Sequence, residues 1–480
     1  MLTRRALLPL LGLTMAAALP AAALAGQARG SVHFRNVTLA DQGNFGEPSL
    51  ALAPDGRHVV ICVPGGGGTK VWHSADDGRT FGTTSTTSQN GGGDCELDFL
   101  PNGTLLQADL EVTDSNVKVS KDFGTTFDAG RAVGAEQDRQ WFAHSPDGKT
   151  AYLVYHDFAA EGEFYARSRD GGLTWPATDG ANPVNGTDQV TAPGTAVTPA
   201  TSGGASSVVD QGGNTFSGPM LVSPDGRDSY VVYSISDLGS NVRSTTPPYG
   251  PTRGIIVAHK SLEGTSYTNK YAVTSTNGAV NGAIFPWGSV DKAGTVYVMY
   301  NSDAGSPGHF HAYYIYSKDK AAHWSAPVKV DDAPLGQGVQ IYSTGMAGAP
   351  GVLDMAWYGS DNGNSAADPL AKWKVHYAQV RNAASAHPSI TRAVVSPGFI
   401  HVGDICLNGL LCVAGGDRNL ADFFELAIGK DGMAYIAYAN DAGFGSHKST
   451  GTVGKARGTV VHNGRVVFAK QTSGRSAWAK

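Results

Sequence analysis

Acidic side chains recur in this chain shortly before its apolar runs, at positions where several of them could meet. Such residues are Glu47, Glu96, Asp98, Asp138 and Asp422. Two carboxyl groups at a suitable separation can cleave a glycosidic bond, one as general acid and the other as base or nucleophile. Crowding of carboxylates also raises the pKa of one of them, as a general acid requires. We therefore predict Glu47, Glu96, Asp138 and Asp422 as catalytic residues.

Aromatic and cationic residues accompany these acids. Aromatic faces stack on sugar rings, and an arginine can hold an acidic substituent through two parallel hydrogen bonds. The predicted substrate-binding residues are Arg139, Trp141, Trp287, Tyr358 and Arg418. The alternative is structural: the same groups pair with one another and with water, and merely fill a channel.

A recurring octapeptide belongs to the elements that must position these residues. Its frame is Ser-x-Asp-x-Gly-x-Thr-aromatic at 74–81, 120–127 and 168–175, and the copy at 317–324 has lost the Gly and the Thr. Recurrence of this kind indicates a repeat architecture. The Ser and Asp side chains can bond backbone N–H groups of a turn, and Gly allows a conformation that side chains hinder. We expect a hairpin turn that serves folding rather than chemistry.

A second recurring unit is a turn of the Asp-Gly type followed by an apolar run. Seven such turns begin at Pro54, Pro101, Pro146, Pro224, Asp291, Pro350 and Asp431. Each unit reads as four strands, and radial repetition of four strands is typical of a propeller, whose first strands line a central channel.

The predicted fold is therefore all-β, a single propeller of seven four-stranded blades over 26–480. Six blades is the alternative, with 340–395 as the doubtful unit. We expect the strand at 31–39 to pair into the last blade and close the ring. A Gly-, Thr- and Ser-rich insertion is expected at about 177–218.

The octapeptides resemble the Asp-box, or BNR, repeat of sialidases and related β-propellers. The resemblance implies a sialidase-like fold and an exo-sialidase-like glycosidase. The fold alone does not determine the function, which depends on the residues of the site. That family begins its first blade with Arg-Ile-Pro, whose arginine binds the substrate carboxylate. This chain has Gly46-Glu47-Pro48 there, and an acid at that point would repel an anionic sugar. The family's nucleophilic tyrosine is matched only by location, to Tyr342 or Tyr358.

We thus predict a carbohydrate-active protein, and two alternatives remain for its activity. One is a glycosidase with arginines supplied from other blades or with a substrate other than a sialoside. The other is a non-catalytic propeller that binds a glycan or a protein through its face. A deep pocket with two carboxyl groups roughly 5–10 Å apart favours hydrolysis. The expected partner is a carbohydrate or glycoconjugate, and a monomer is expected.

A further polar cluster lies in 401–406 and 417–422. It either presents Asp404, Arg418 and Asp422 to the channel mouth or forms a clipped turn with internal salt bridges. Its Asp and Asn oxygens could hold calcium, although EF-hand spacing is absent. No other cofactor is expected.

The N-terminus and the overall charge indicate where the protein acts and which partners it does not bind. Residues 1–25 resemble a signal peptide, with Arg4-Arg5 before an apolar run and Ala23-Leu24-Ala25 as cleavage site, of either the twin-arginine or the Sec type. Export to the periplasm or the extracellular space follows. No later run is apolar for long enough to span a membrane. The net charge of −5 offers no basic surface for nucleic acid.

The four cysteines fit an exported protein. We predict the pairs Cys62–Cys95 and Cys406–Cys412, one of the three connectivities that four cysteines allow.

Overall fold

The computed structural model describes residues 31–40, 46–111, 113–134, 137–157, 162–184, 213–237, 252–282, 284–407, 417–442 and 464–479. Its strands form seven antiparallel sheets. The first strand of each sheet contacts the first strands of two neighbours, and the series closes on itself. This is the predicted propeller of seven four-stranded blades, and the fold prediction is confirmed.

The first three blades follow one another along the chain. Blade 1 consists of β2 (Ser49–Leu52), β3 (Val59–Pro64), β4 (Gly66–Ser74) and β5 (Gly82–Gly92). Blade 2 consists of β6 (Cys95–Phe99), β7 (Leu105–Leu110), β8 (Ser115–Ser120) and β9 (Arg131–Val133). Blade 3 consists of β10 (Gln137–His144), β11 (Ala151–Asp157), β12 (Gly162–Ser168) and β13 (Asn182–Pro183), with a 3-10 helix at Ala177–Asp179.

The next three blades repeat the pattern. Blade 4 consists of β14 (Gly213–Val222), β15 (Asp228–Asp237), β16 (Thr252–Ser261) and β17 (Thr268–Thr274). Blade 5 consists of β18 (Trp287–Val290), β19 (Val296–Ser302), β20 (His311–Ser317) and β21 (Val328–Lys329). Blade 6 consists of β22 (Val339–Ala347), β23 (Val352–Ser360), β24 (Lys372–Arg381) and β25 (Ser389–Val394), and β26 (His401–Val402) pairs with β24. The doubtful unit is thus a complete blade, and the six-blade alternative is wrong.

Blade 7 is built from both ends of the chain. It consists of β27 (Glu425–Ile428), β28 (Ala434–Asn440), β29 (Arg465–Gln471) and, as outermost strand, β1 (Phe34–Thr38). The β1–β29 register places Val37 opposite Phe468. The predicted closure by the N-terminal strand is confirmed, and it leaves no gap in the ring.

The middle strands are apolar throughout because each blade is packed between two others. On β11, Tyr152 and Val154 belong to the large cluster that continues into blade 4, whereas Leu153 and Tyr155 pack toward blade 2. All four are buried. Alternate side chains of one strand therefore serve two different interfaces.

The octapeptide forms the turn between the third and fourth strands of a blade. Ser168 Oγ accepts a hydrogen bond from the Gly172 N–H (2.9 Å), and Asp170 accepts from the N–H (2.9 Å) and the hydroxyl (2.6 Å) of Thr174. In the 317–324 copy, Ala321 adopts φ 63° where the frame has Gly, and His323 replaces the Thr. The expected turn is present at all four copies.

The Cys62–Cys95 disulfide joins β3 of blade 1 to β6 of blade 2, which confirms that prediction. Cys406 also takes part in a disulfide, and its predicted partner, Cys412, lies outside the described residues. So does the predicted signal peptide, and so does most of the expected insertion: residues 185–212 are not described, while Gly213 already begins β14. Among the described segments, no helix is long and apolar enough to cross a bilayer.

Candidate active site

Three inner strands bring acidic residues to one end of the channel. Glu47 precedes β2 of blade 1, Asp94 precedes β6 of blade 2, and Asp422 leads into β27 of blade 7. Since β2 contacts both β6 and β27, these three side chains meet, together with Arg418. We refer to these four residues as the mouth cluster.

The mouth cluster is held by an ion pair with two parallel contacts. Arg418 Nη1 lies 2.9 Å from Asp422 Oδ1, and its Nη2 lies 2.7 Å from Asp422 Oδ2. The same Nη2 lies 3.5 Å from Glu47 Oε1, which accepts a hydrogen bond from the Asp422 N–H at 3.1 Å. The carboxyl group of Glu47 is also hydrogen-bonded to that of Asp94. Both terminal nitrogens of the guanidinium therefore face carboxylates of the protein itself.

Burial and crowding change the acidity of this cluster. Glu47 and Asp422 are less than a tenth exposed. Burial and the charges of Asp94 and Asp422 raise the pKa of Glu47 well above its usual range, against the opposing charge of Arg418. Burial also raises the pKa of Asp422, but there Arg418 is the main opposing influence. Glu47 thus holds its proton well above its usual range, whereas the contact with Arg418 stabilises the ionised form of Asp422 against the effect of burial, and acid–base catalysis uses such a difference between two acids.

The backbone at the mouth is strained. Glu47, Tyr342 and Ala421 have φ of 56°, 55° and 52°, which side-chain-bearing residues adopt only where their surroundings impose it. Gly46 packs against this segment, since a Cβ on it would lie 2.3 Å from Ala421 Cβ. The position that carries arginine in the sialidase motif therefore has no room here for any side chain.

Two tyrosines singled out in the sequence lie at different depths. Tyr342 is beside the mouth cluster, and burial and the charge of Asp422 raise its pKa well above the usual range. Tyr358 is fully buried behind it, where its ring stacks on Phe424 at 4.2 Å and its hydroxyl accepts a hydrogen bond from the Ala439 N–H. The structure gives Tyr358 a packing role, and its contact with a substrate stays a prediction.

Below the mouth, Arg139 fills the channel. Its Nη2 lies 2.8 Å from Glu96 Oε2 and 3.6 Å from Glu425 Oε1. Its guanidinium carbon lies 3.7 Å from the ring centre of Trp141 and 4.0 Å from that of Phe423. The guanidinium is inaccessible to solvent. This channel layer is internally paired, so the substrate contacts predicted for Arg139 and Trp141 also stay predictions.

Glu425 is an acid that the sequence analysis missed. Its Oε2 accepts hydrogen bonds from the Leu50 N–H (2.6 Å) and the Ser49 hydroxyl (3.0 Å). Burial and the charge of Glu96 raise the pKa of Glu425 well above its usual range. Burial likewise raises that of Glu96, and Arg139 opposes it. Glu96, predicted as catalytic, is thus part of a buried pair with one cation.

A cavity of about 240 Å³ lies further along the same strands. Among its lining residues are Glu96, Asp98, Trp287, Met346 and Glu425. The Asp98 Oδ1 lies 3.8 Å from Nε2 of His144. The structure thus places Trp287 at this cavity, separate from the mouth cluster. Asp138 belongs to β10, but its side chain lies outside what is described.

The structure therefore brings three of the predicted site residues, Glu47, Asp422 and Arg418, together and adds Asp94 and Glu425 to the acids. Both missed residues carried a usable signal: each lies at the start of an inner strand, as Glu47 does. A rule that took every acid at such a position would have included them.

A second group of ionisable residues lies behind the mouth, on the segments that enter blade 7. His401, Asp417 and Asp441 have potential metal-ligand atoms within 4.8 Å of one another. Asn419 donates hydrogen bonds to Asp441 (2.6 Å) and Asp417 (3.3 Å). Both alternatives for 401–422 are thus partly present: Arg418 and Asp422 reach the mouth, and salt bridges run within the segment.

The chain resembles known proteins only in structure. No family model and no curated protein matches its sequence. Its fold is similar to that of a polysaccharide lyase, an ulvan lyase bound to an oligosaccharide of glucuronate and sulfated rhamnose (10% identity, 84% of this chain and 93% of that chain, TM-score 0.51). It also matches a protein of unknown function from Dyadobacter fermentans (10%, 92% and 99%, TM-score 0.47) and an intramolecular trans-sialidase from Ruminococcus gnavus (11%, 82% and 89%, TM-score 0.38). At these identities the likeness shows the fold alone.

Proposed function

We propose that this protein is a glycoside hydrolase that works through the mouth cluster. The observation that carries the proposal is the pairing of Glu47, whose pKa is raised by burial and by neighbouring carboxylates, with Asp422, whose ionised form Arg418 stabilises. Glu47 donates its proton to the glycosidic oxygen as the bond to the anomeric carbon breaks. Asp422 is hydrogen-bonded to Glu47, much closer than the roughly 6.5–9.5 Å that separates an acid from a water-activating base. We therefore assign Asp422 to stabilising the positive charge that develops on the sugar, while the carboxylate of Glu47 takes the proton of the attacking water.

The charges of the cluster favour an uncharged sugar. Arg418 is already bound by Asp422 and Glu47, so it has no free fork for a carboxylate of the substrate. Asp94 adds a further acid at the same point, and like charges repel an anionic ring. We therefore propose a neutral glycan rather than a sialoside or a uronate.

Two further observations are compatible with this proposal. An enzyme of similar fold is bound to an oligosaccharide. The Cys62–Cys95 disulfide suits a protein exported through the leader predicted at 1–25, because disulfides persist in oxidising compartments. We propose that the protein acts outside the cytoplasm, where polymeric glycans are met.

The test is hydrolysis of a panel of neutral aryl glycosides and polysaccharides by the purified mature chain. Glu47→Gln keeps the shape of the side chain but cannot deliver the proton, and general acid catalysis contributes roughly 10²–10⁴-fold. We expect kcat to fall by that factor. Asp354→Asn is the matched control, since Asp354 is a fully buried carboxyl on β23, outside the channel. Equal loss in both variants, or none in Glu47→Gln, would remove Glu47 from the mechanism.

A binding propeller is the second candidate, and the internal pairing of the mouth cluster favours it. Glu47, Asp94, Arg418 and Asp422 satisfy one another, so they could hold a rigid face rather than perform a reaction. In that case no sugar of the panel would be cleaved, while a glycan array would give a saturable signal that a substitution on the mouth face reduces.

A further inference from the structure

The segment behind the mouth cluster carries more buried negative charge than the described residues around it balance. Asp404 and Asp441 are 8% and 3% exposed, and Asp417 is half-buried. In the described residues, no Lys or Arg forms an ion pair with any of these three; His401 alone pairs, with Asp441 at 2.9 Å. Even with His401 protonated, one positive charge faces three carboxylates. Unbalanced buried charge is costly, so a cation is expected to accompany it.

The orientation of His401 is that of a metal ligand. Its Nε2 lies 3.1 Å from the carbonyl oxygen of Asp404, to which it can donate a proton. Histidines that bind metals commonly donate the second ring N–H to a backbone carbonyl in this way, which fixes the tautomer. The other nitrogen, Nδ1, then points at both carboxylate oxygens of Asp441, at 3.0 and 2.9 Å. An ion between the two groups would need only small movements to reach ordinary ligand distances.

Two more features support the site. Oδ1 of the buried Asp404 has no hydrogen-bond partner among the described residues, and its Oδ2 has only a long contact of 3.4 Å with the Asp417 N–H. Asn419 donates to both Asp441 and Asp417, and such hydrogen bonds to ligating carboxylates are usual around metals.

From these contacts we infer that His401, Asp417 and Asp441 bind one divalent transition-metal ion, with zinc as the best match, and that Asp404 orients His401 and can complete the ligand set. One imidazole with carboxylates suits zinc or manganese better than calcium, which prefers oxygen ligands alone. The ion would tie the end of blade 6 to the strand β28 of blade 7. It would thereby hold Arg418, one residue from Asp417, at the channel mouth.

The test uses the untagged mature protein, stripped with a chelator and titrated with Zn²⁺, Mn²⁺ and Ca²⁺ by calorimetry, with bound metal measured after dialysis. We expect one tight site per chain for Zn²⁺, a weaker one for Mn²⁺, and a higher melting temperature with zinc. Asp417→Asn and His401→Gln should each weaken zinc binding by at least 10–100-fold.

Asp331→Asn is the matched control, because Asp331 also binds a buried histidine: its Oδ1 lies 3.0 Å from His311 Nδ1. There, however, Lys329 at 2.8 Å supplies the positive charge, so this variant should bind zinc like the wild type. Two outcomes would overturn the proposal: no stoichiometric zinc in a folded wild type, or unchanged affinity in both Asp417→Asn and His401→Gln. If the protein binds calcium and His401→Gln leaves that binding intact, the zinc proposal is wrong and the site consists of oxygen ligands alone. None of these readouts depends on the proposed hydrolysis.

Discussion

The acidity of Glu47 depends on a neighbour that can be removed separately. Asp94 raises the pKa of Glu47 both by its charge and through their shared hydrogen bond. If protonated Glu47 is the acid, activity is lost as the pH rises through its pKa. Asp94→Asn removes the negative charge, so the pKa should fall and the alkaline limb of kcat against pH should move to lower pH.

The control for this shift is Asp98→Asn, which alters an acid of the channel cavity and should leave the limb where it is. An alkaline limb that does not move in Asp94→Asn would mean that Glu47 does not set it.

Asp354 allows a test of linkage between protonation and stability. Burial raises its pKa to about 7, despite hydrogen bonds from Gln379 and Tyr377. Because the folded-state pKa lies above that of the unfolded chain, the protonated carboxyl favours the folded state at low pH. That stability is lost as the pH rises between about 4 and 7. A difference of this size corresponds to at most about 4 kcal/mol.

Asp354→Asn keeps a neutral side chain at every pH. The free energy of unfolding, measured in urea at pH 5 and pH 8, should therefore fall less with pH in the variant than in the wild type. Parallel pH dependence in the two proteins would place the titration elsewhere.

At the scale of the element, the octapeptide turn shows how a degraded repeat keeps its shape. Ala321 has φ 63° and Gly172, at the matching position, has φ 84°. A left-handed backbone costs a side-chain-bearing residue about 1–2 kcal/mol. Ala321→Gly relieves that cost, but it also removes a methyl group that is buried in the core, worth about 0.8 kcal/mol, and it adds flexibility to the unfolded chain. We therefore expect the stability to change by less than about 1 kcal/mol.

The reverse change, Gly172→Ala, should destabilise, because the new Cβ would lie 2.5 Å from Leu106 Cδ2. Urea unfolding of both variants checks the pair, and a larger loss of stability in Ala321→Gly than in Gly172→Ala would contradict the argument.

The same turns explain why the fold could be predicted from the sequence and the contacts of the candidate site could not. Short-range patterns predicted the blades, because Asp-Gly turns and octapeptides act within a few residues and repeat. The meeting of Glu47 with Asp422 and Arg418 could be expected only from the ring closure, which places blade 7 beside blade 1. The His401–Asp441 contact joins residues 40 apart across two blades, and no local pattern announces it. Asp94 lies at the start of an inner strand, as Glu47 does, so its position could have been noticed, but its effect on Glu47 depends on a contact between two blades.

At the scale of the whole molecule, the outermost strand of blade 7 ties several blades together. Arg35 donates hydrogen bonds to the carbonyl oxygens of Gly78 and Asp77 in the first octapeptide turn, and Phe34 packs edge-on against Tyr377 of blade 6 at 5.2 Å. Val37 packs against the core shared by blades 1 and 7. One five-residue strand thus contacts three blades.

Val37→Asp should accordingly weaken the whole ring and not just one edge. Placing a carboxylate in this apolar contact costs roughly 2–4 kcal/mol. We expect a single unfolding transition at a lower urea concentration than in the wild type. Tryptophan fluorescence and far-ultraviolet circular dichroism should report the same midpoint. Thr38→Asp is the control, since Thr38 is exposed in the same strand. Two separate transitions would show that blade 7 opens independently.

Closure by β1 also has a consequence for biosynthesis. Residues 34–38 are made before the other described strands, whereas their partner β29 is made roughly 430 residues later. At roughly 5–20 residues per second this takes about 20–90 s. For all that time β1 lacks its partner strand, and the blade 1 face that contacts blade 7 in the finished ring stays uncovered. A nascent chain that stops before Arg465 lacks β29 and cannot form the β1–β29 pair. Premature termination should therefore yield aggregation-prone fragments that depend on chaperones, not a smaller functional propeller.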